Sequence, residues 1–222
     1  SAIAWTIGII GAVTATVGNT AAFVQGNIKR LLAYSSIAHA GYMLCALSLL
    51  LNGSRPLLVQ EQGLSYLAPA QALLLYLAVY LFMNLGAFTI AGLVYRATGS
   101  ESIADYAGMG RRAPLAAACM TAFMFSLVGL PPFAGFIAKL NVMYVLGANG
   151  GWWWALVGVI GVNTVLSLYY YARVVRVMYL VPSDAPAIHA NPLGLGLGMA
   201  CAIMLLVMLI GFSPLNDLAR RH

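Results

Sequence analysis

The stretch that decides the fold is SLVGLPPFAGFIAKLNVMY, residues 126–144. It lies inside a longer apolar run, Ala113 to Val145, in which Lys139 is the only full charge. A hydrocarbon core of ~30 Å is spanned by about 20 helical residues, and this run is far longer. At its middle, Gly129-Leu130-Pro131-Pro132 removes two amide donors and sets proline rings against the preceding turn. The run therefore predicts one span built of two half-helices, with Lys139 about two turns past the break. Non-helical backbone at that depth survives only against protein or a wet cavity. Interrupted apolar segments are also where transporters build ion sites. A mid-bilayer lysine costs roughly 3 kcal/mol on insertion scales, so something must hold it. The competing reading is a lysine near a helix end that snorkels its ammonium to the headgroups.

The rest of the composition agrees with a membrane setting. Of 222 residues, 62% are hydrophobic and only 7% charged, against about 25% charged in a soluble domain. The net charge of +6 comes from basic residues scattered over short loops, without a basic patch. That excludes a nucleic-acid partner and reads as topology information instead. Cys45, Cys119 and Cys201 each sit alone in an apolar run, as small buried hydrophobes. No dinucleotide, P-loop, zinc or nucleophile motif appears, so the expectation is that this chain binds no cofactor or metal. Ser1 runs directly into a hydrophobic span without an initiator Met or signal-peptide features, which predicts the C-terminal portion of something longer.

Six spans can be counted: Ala2–Val24, Ile28–Leu51, Ala68–Tyr95, the broken Ala113–Leu146, Trp153–Leu180 and Leu193–Phe212. Short loops make sequence neighbours antiparallel. Lys29, Arg30, Arg96, Arg111, Arg112, Arg173 and Arg176 fall on one side, and Arg55, Arg220 and Arg221 on the other. The richer side is cytoplasmic by the positive-inside rule, which puts both termini outside. Trp152, Trp153 and Trp154 are expected in the outer aromatic belt.

Polar residues within the spans are few. In span two, Tyr34 stands five residues before His39, about 140° away on an ideal helix, whereas Ser35 and His39 share a face. A hydroxyl and an imidazole are thus expected to project together into the bundle. An intramembrane histidine is a functional candidate or a neutral, hydrogen-bonded core residue. Lys29 and Arg30 sit at the cytoplasmic end of that span, where anchoring is the plain reading. Asn84, central in span three, predicts a helix–helix hydrogen bond. Glu101 and Asp105 read as solvated loop acids, Arg173 and Arg176 as interface anchors, and His189 as exposed. Span six has a wholly apolar core and reads as a packing or lipid-facing helix.

Four stretches carry a family resemblance: NIKRLLAYSSIAHAGY (27–42), YLFMNLGAF (80–88), DYAGMGRRAPL (105–115) and SLVGLPPFAGFIAKLNVMY (126–144). They resemble the antiporter-like membrane subunits of respiratory complex I, and AYSSIAH is nearest to the subunit N branch of bacterial NADH–quinone oxidoreductases, homologous to mitochondrial subunit 2. The resemblance implies an all-α integral membrane fold with two inverted five-helix repeats, each with a broken helix. Residues 1–181, with the broken helix at 113–147, would be the second repeat, and 182–222 a loop and the last transmembrane helix. Lys139 matches the lysine of the second broken helix. Lys29, Tyr34 and His39 match polar positions on the family's central hydrophilic axis. Ala138 departs from the glycine that often precedes the lysine.

The implied function is proton translocation in the bacterial inner membrane, through Lys139, His39, Lys29 and Tyr34, driven by quinone reduction elsewhere. NADH, FMN, iron–sulfur clusters and quinone would belong to other subunits. The implied partners are neighbouring complex I membrane subunits, the upstream part of the same subunit, and lipid. Two other readings stay open: a multi-subunit cation/proton antiporter, and a non-pumping structural membrane subunit.

Overall fold

A computed structural model describes residues 2–52, 60–61, 64–65, 69–188 and 191–219. His189, Arg55, Arg220 and Arg221 lie outside them, and with them the expectation for His189 and one side of the charge count. The described residues are almost wholly helical: α1 (Ala2–Phe23), α2 (Ile28–Leu51), α3 (Pro69–Thr98), α4 (Met109–Arg112), α5 (Pro114–Val128), α6 (Ala134–Ala148), α7 (Trp153–Leu180) and α8 (Pro192–Ala219). Five of these helices are long and apolar enough to cross a membrane, and α5 and α6 are shorter apolar helices. A short ladder pairs Gln60 with Ser65 and Glu61 with Leu64. A 3-10 turn, Ile103–Tyr106, precedes α4.

Small residues set the spacing of α1 and α2. Gly11, Ala15, Gly18 and Ala22 all turn inward. A Cβ on Gly18 would stand 2.5 Å from the Ala38 amide, and one on Gly11 2.8 Å from the Gly41 carbonyl. Main chain meets main chain here, as close helix packing in lipid requires. At one end the two connecting loops pair: Ile28 N–H donates to the Glu101 carbonyl and Ile103 N–H to the Gly26 carbonyl, both at 2.9 Å.

The break falls where proline and glycine put it. Gly129, at φ +84°, ends α5. Its N–H reaches the Ser126 carbonyl at 3.0 Å, and Leu130 N–H reaches the Phe125 carbonyl at 3.0 Å, a Schellman closure. The two halves are not laid end to end. Gly135, in the first turn of α6, lies directly on the Ser126 carbonyl of α5, and its N–H donates to Ser126 Oγ at 3.2 Å. The tips of the half-helices therefore overlap side by side.

The periphery corrects several sequence expectations. Of Trp152, Trp153 and Trp154, expected in an outer belt, Trp153 is buried, Trp152 is half-buried and stacks on Trp5 at 4.0 Å, and Trp154 is exposed. Asn84 makes no helix–helix hydrogen bond within the described residues. It lies instead on an outward apolar face of α3 beside Leu77, Leu81 and Leu85. Glu101 is not simply solvated: it accepts from Lys29 Nζ at 2.7 Å and from Asn27 Nδ2 at 2.8 Å. Arg173 does more than anchor, because its guanidinium donates to the Gln25 carbonyl and ties α7 to the α1–α2 turn. Helix α8 packs as expected, with Gly194 and Gly198 on Leu93 and Ile90 of α3 and Leu193 exposed. Cys45, Cys119 and Cys201 are free and buried.

Candidate functional site

The site forms at the break. A Schellman closure satisfies the carbonyls of Phe125 and Ser126 but leaves those of Leu127 and Val128, the last of α5, without helical partners. Lys139, the sixth residue of α6, points back along its helix toward them. Its Nζ donates to Val128 O at 2.8 Å and lies 3.5 Å from Leu127 O. A cation suits this place twice over, because a helix C-terminus carries partial negative charge. The side chain is only 4% exposed, which rules out snorkelling. Among the described residues no carboxylate pairs with it.

Two features flank the ammonium. On the inner side, the ring of Tyr42 on α2 presents its centroid 5.0 Å from Nζ, within cation–π range. On the other side, a cavity of about 110 Å³ lies between α6 and α7, with Gly129, Lys139, Leu140, Gly161 and Thr164 among its walls. Thr164 spends its hydroxyl proton on the Ile160 carbonyl at 2.8 Å and keeps lone pairs free to accept.

His39 is buried on the same side of α2 as Tyr42. Its ring meets that of Tyr42 edge-on, at 5.6 Å and 79°, and stacks on Tyr80 at 5.1 Å. Nδ1 and the Tyr76 hydroxyl of α3 are 2.8 Å apart, so this ring nitrogen is committed to a hydrogen bond. Ser35 is buried as expected, yet it turns to Tyr171 of α7 and not to the histidine's partner on α3. The shared-face expectation thus holds for burial and fails for a joint site.

The other two sequence candidates are not brought to Lys139. Lys29 sits ten residues before His39, about 15 Å along the helix. There it is clamped between Glu101 and the Tyr95 ring, 4.1 Å from its centroid, with a third of its side chain exposed. Tyr34 is half-buried and packs against the apolar core on a different face of α2.

The sequence reading missed the residues around the pair. Tyr42 and Tyr76 bracket His39, and a buried amide network stands behind Tyr42. Asn19 of α1 donates to the Tyr42 hydroxyl at 2.9 Å and to Asn163 Oδ1 at 3.0 Å, and accepts from the Tyr170 hydroxyl at 2.8 Å. Asn19 is the only amide in α1 and Asn163 the only one in α7. A lone amide in a membrane span was the signal available.

Fold and site together define the class: a helical membrane protein with several apolar spans and a lysine enclosed where two short apolar helices meet. The comparisons with known proteins agree. Residues 1–167 match the family described as NADH:quinone oxidoreductase/Mrp antiporter, transmembrane. The chain belongs to that family. It is 44% identical over 222 residues to the NADH-quinone oxidoreductase subunit N of Anaeromyxobacter sp. (strain Fw109-5), covering 94% of this chain and 39% of the relative. A chain of respiratory complex I from Thermus thermophilus with bound aureothin superposes with a TM-score of 0.71 at 30% identity, covering 93% of this chain and 43% of that one. A chain of the Mrp complex from Dietzia sp. DQ12-45-1b gives 0.78 at 19% identity over 97% of this chain and 46% of its own length, a likeness of fold alone. The chain spans about two fifths of the curated subunit N relative.

Proposed function

We propose that this chain is the proton-translocating, second-repeat portion of a subunit N-type membrane subunit of an NADH:quinone oxidoreductase. In this reading the bundle has six membrane crossings, with α5 and α6 sharing one. Residues 1–181 form an inverted five-helix repeat and α8 is the final helix. The observation that carries the reading is Lys139 itself: an enclosed ammonium bonded to leftover carbonyls of a broken helix. Nothing structural requires a cation there, because a carbonyl pair can be satisfied by a neutral donor at lower insertion cost.

The chemistry is proton storage and release. With no carboxylate fixing it, the proton affinity of Lys139 answers to whatever charge or water approaches. The cavity between α6 and α7 opens beside Lys139, and His39 and Lys139 share the ring of Tyr42. Lys29 and Tyr34 belong to the path at its cytoplasmic end, a region where Lys29 is held by Glu101. Neighbouring membrane subunits, and the upstream part of a longer subunit, supply the driving change. NADH, flavin, iron–sulfur clusters and quinone act in other subunits of the assembly, in the bacterial inner membrane with the termini of this chain outside.

Lys139→Ala in the assembled complex tests the proposal. Assembly survives, while proton pumping is lost and coupled quinone reduction falls. A variant that pumps normally refutes it.

A further inference from the structure

We infer that Asn19 and Tyr42 are positioning residues for the Lys139 centre: Asn19 orients the Tyr42 hydroxyl, and so the ring that lies against both the Lys139 ammonium and the His39 imidazole. The inference rests on the functional reading above and adds to it the part that sets the lysine's surroundings.

The geometry leaves Tyr42 little freedom. Its side chain is 1% exposed, as is that of Asn19. Its hydroxyl accepts from Asn19 Nδ2 at 2.9 Å. Asn19 Nδ2 shares its two protons among three acceptors, the Tyr42 hydroxyl, the Ala15 carbonyl at 2.9 Å on its own helix and Asn163 Oδ1 at 3.0 Å, while its own Oδ1 accepts from the Tyr170 hydroxyl at 2.8 Å. Asn163 in turn reaches Thr16 at 3.1 Å. Helices α1 and α7 thus converge on one phenol of α2. Buried amides cost desolvation unless paired, and here the paired set ends on the one ring, among the described residues, within cation–π distance of Lys139.

The consequence is a ring with two neighbours. The lysine ammonium lies over its face, and the histidine ring meets it in a T-shaped contact at 79°. The face favours the ammonium form over the neutral amine. The T-shaped contact sets the approach of His39, whose Nδ1 is already engaged by Tyr76. Among the described residues, the titratable groups around Tyr42 and Lys139 are His39 and Cys45 from α2, Tyr76 and Tyr80 from α3, and Tyr170 and Tyr171 from α7. Helix α1, which supplies Asn19, carries no titratable side chain.

The test uses membranes holding the assembled complex and compares Tyr42→Phe, Tyr42→Leu, Asn19→Leu and the Asn19→Leu/Tyr42→Phe double variant. The readouts are complex content, NADH oxidation, and protons moved per NADH as a function of pH. Tyr42→Leu removes the ring. The pH at which coupling is half-maximal moves to the acid side by about one unit, a tenfold loss of proton affinity. Tyr42→Phe keeps the ring but frees it, giving a smaller shift in the same direction. Asn19→Leu matches Tyr42→Phe, and the double variant is no worse than either single change, because Asn19 acts through that hydroxyl. A parent-like pH profile in Tyr42→Leu overturns the inference. So do losses that multiply in the double variant, which mean that Asn19 only holds α1 to α7. Should Asn19→Leu fail to assemble, Tyr42→Phe decides alone, and an unshifted profile there overturns the assignment. Lys139→Ala keeps the two failures apart: if it abolishes pumping while the Tyr42 variants are normal, only the positioning role is lost. If it pumps normally, the functional reading falls as well.

Discussion

Gly135→Ala adds one methyl group at the overlap of the two half-helices. A Cβ there falls on the Ser126 carbonyl, with Ser126 Oγ only 2.9 Å away. Helix propensity favours the change, by about 1 kcal/mol for alanine over glycine. Sterics oppose it, and the blocking atoms are main chain that closes α5, unable to swing aside. The halves must part by roughly 1 Å or more to reach ordinary contact. The same displacement carries Lys139 Nζ, now 2.8 Å from the Val128 carbonyl, beyond useful hydrogen-bond distance. Overpacking costs about 1–3 kcal/mol, and a hydrogen bond to a charged group is worth about 1.5–3 kcal/mol. Either term outweighs the propensity gain, so a net destabilisation of about 2 kcal/mol or more is expected. The assay is the thermal midpoint of the solubilised complex, with Gly92→Ala as control, since a Cβ on Gly92 meets nothing within 4 Å. Gly92→Ala holds or raises the midpoint. Gly135→Ala lowers it and weakens pumping. Equal midpoints for the two variants would refute the overlap of the half-helices.

Gly161→Leu fills the cavity beside Lys139, where the nearest group to a new Cβ is the Met143 methyl at 4.0 Å. Stability stays within about 0.5 kcal/mol of the parent, while protons moved per NADH fall; unchanged coupling means that water does not reach the lysine by this route. Ser126→Ala removes the acceptor of the Gly135 amide and costs about 1 kcal/mol in the same thermal assay, whereas no loss would mean that this amide finds another partner. Glu101 is held below the usual carboxylate range, first by its hydrogen bond from Lys29 and next by that from Asn27. A depressed folded value contributes stability above the ordinary value of about 4.3, lost as pH falls through the folded one. The acid limb of the parent's thermal stability is therefore steeper than that of Glu101→Gln, and 1 M salt narrows the gap because the pair is a third exposed. Parallel acid limbs would contradict the clamp.

The break at Gly129-Leu130-Pro131-Pro132 was legible because it is chemical: missing donors and a fixed φ act wherever the chain runs. Span positions were legible for the same reason, since solvent dictates run length. What the sequence hid is directional. Two buried residues four apart on α2 can look to different neighbours, and Ser35 turned to Tyr171 while His39 turned to Tyr76. Lys29 and Glu101 are far apart in the chain, so only the pairing of two loops, through Ile28 with Glu101 and Ile103 with Gly26, brings them together. Asn19 and Asn163 were open to the reasoning applied to Asn84, yet the outcomes were opposite. The two overlooked amides are shared between helices, and the one singled out faces outward. An amide on an inward glycine–alanine face, as Asn19 is beside Gly18 and Ala22, can approach a neighbouring backbone or hydroxyl closely. An amide in a stripe of leucines, as Asn84 is, is held off by their bulk. Flanking size separates Asn19 from Asn84; Asn163, beside Val159, Ile160 and Val162, is reached because the small-residue face of α1 brings Asn19 and Thr16 to it.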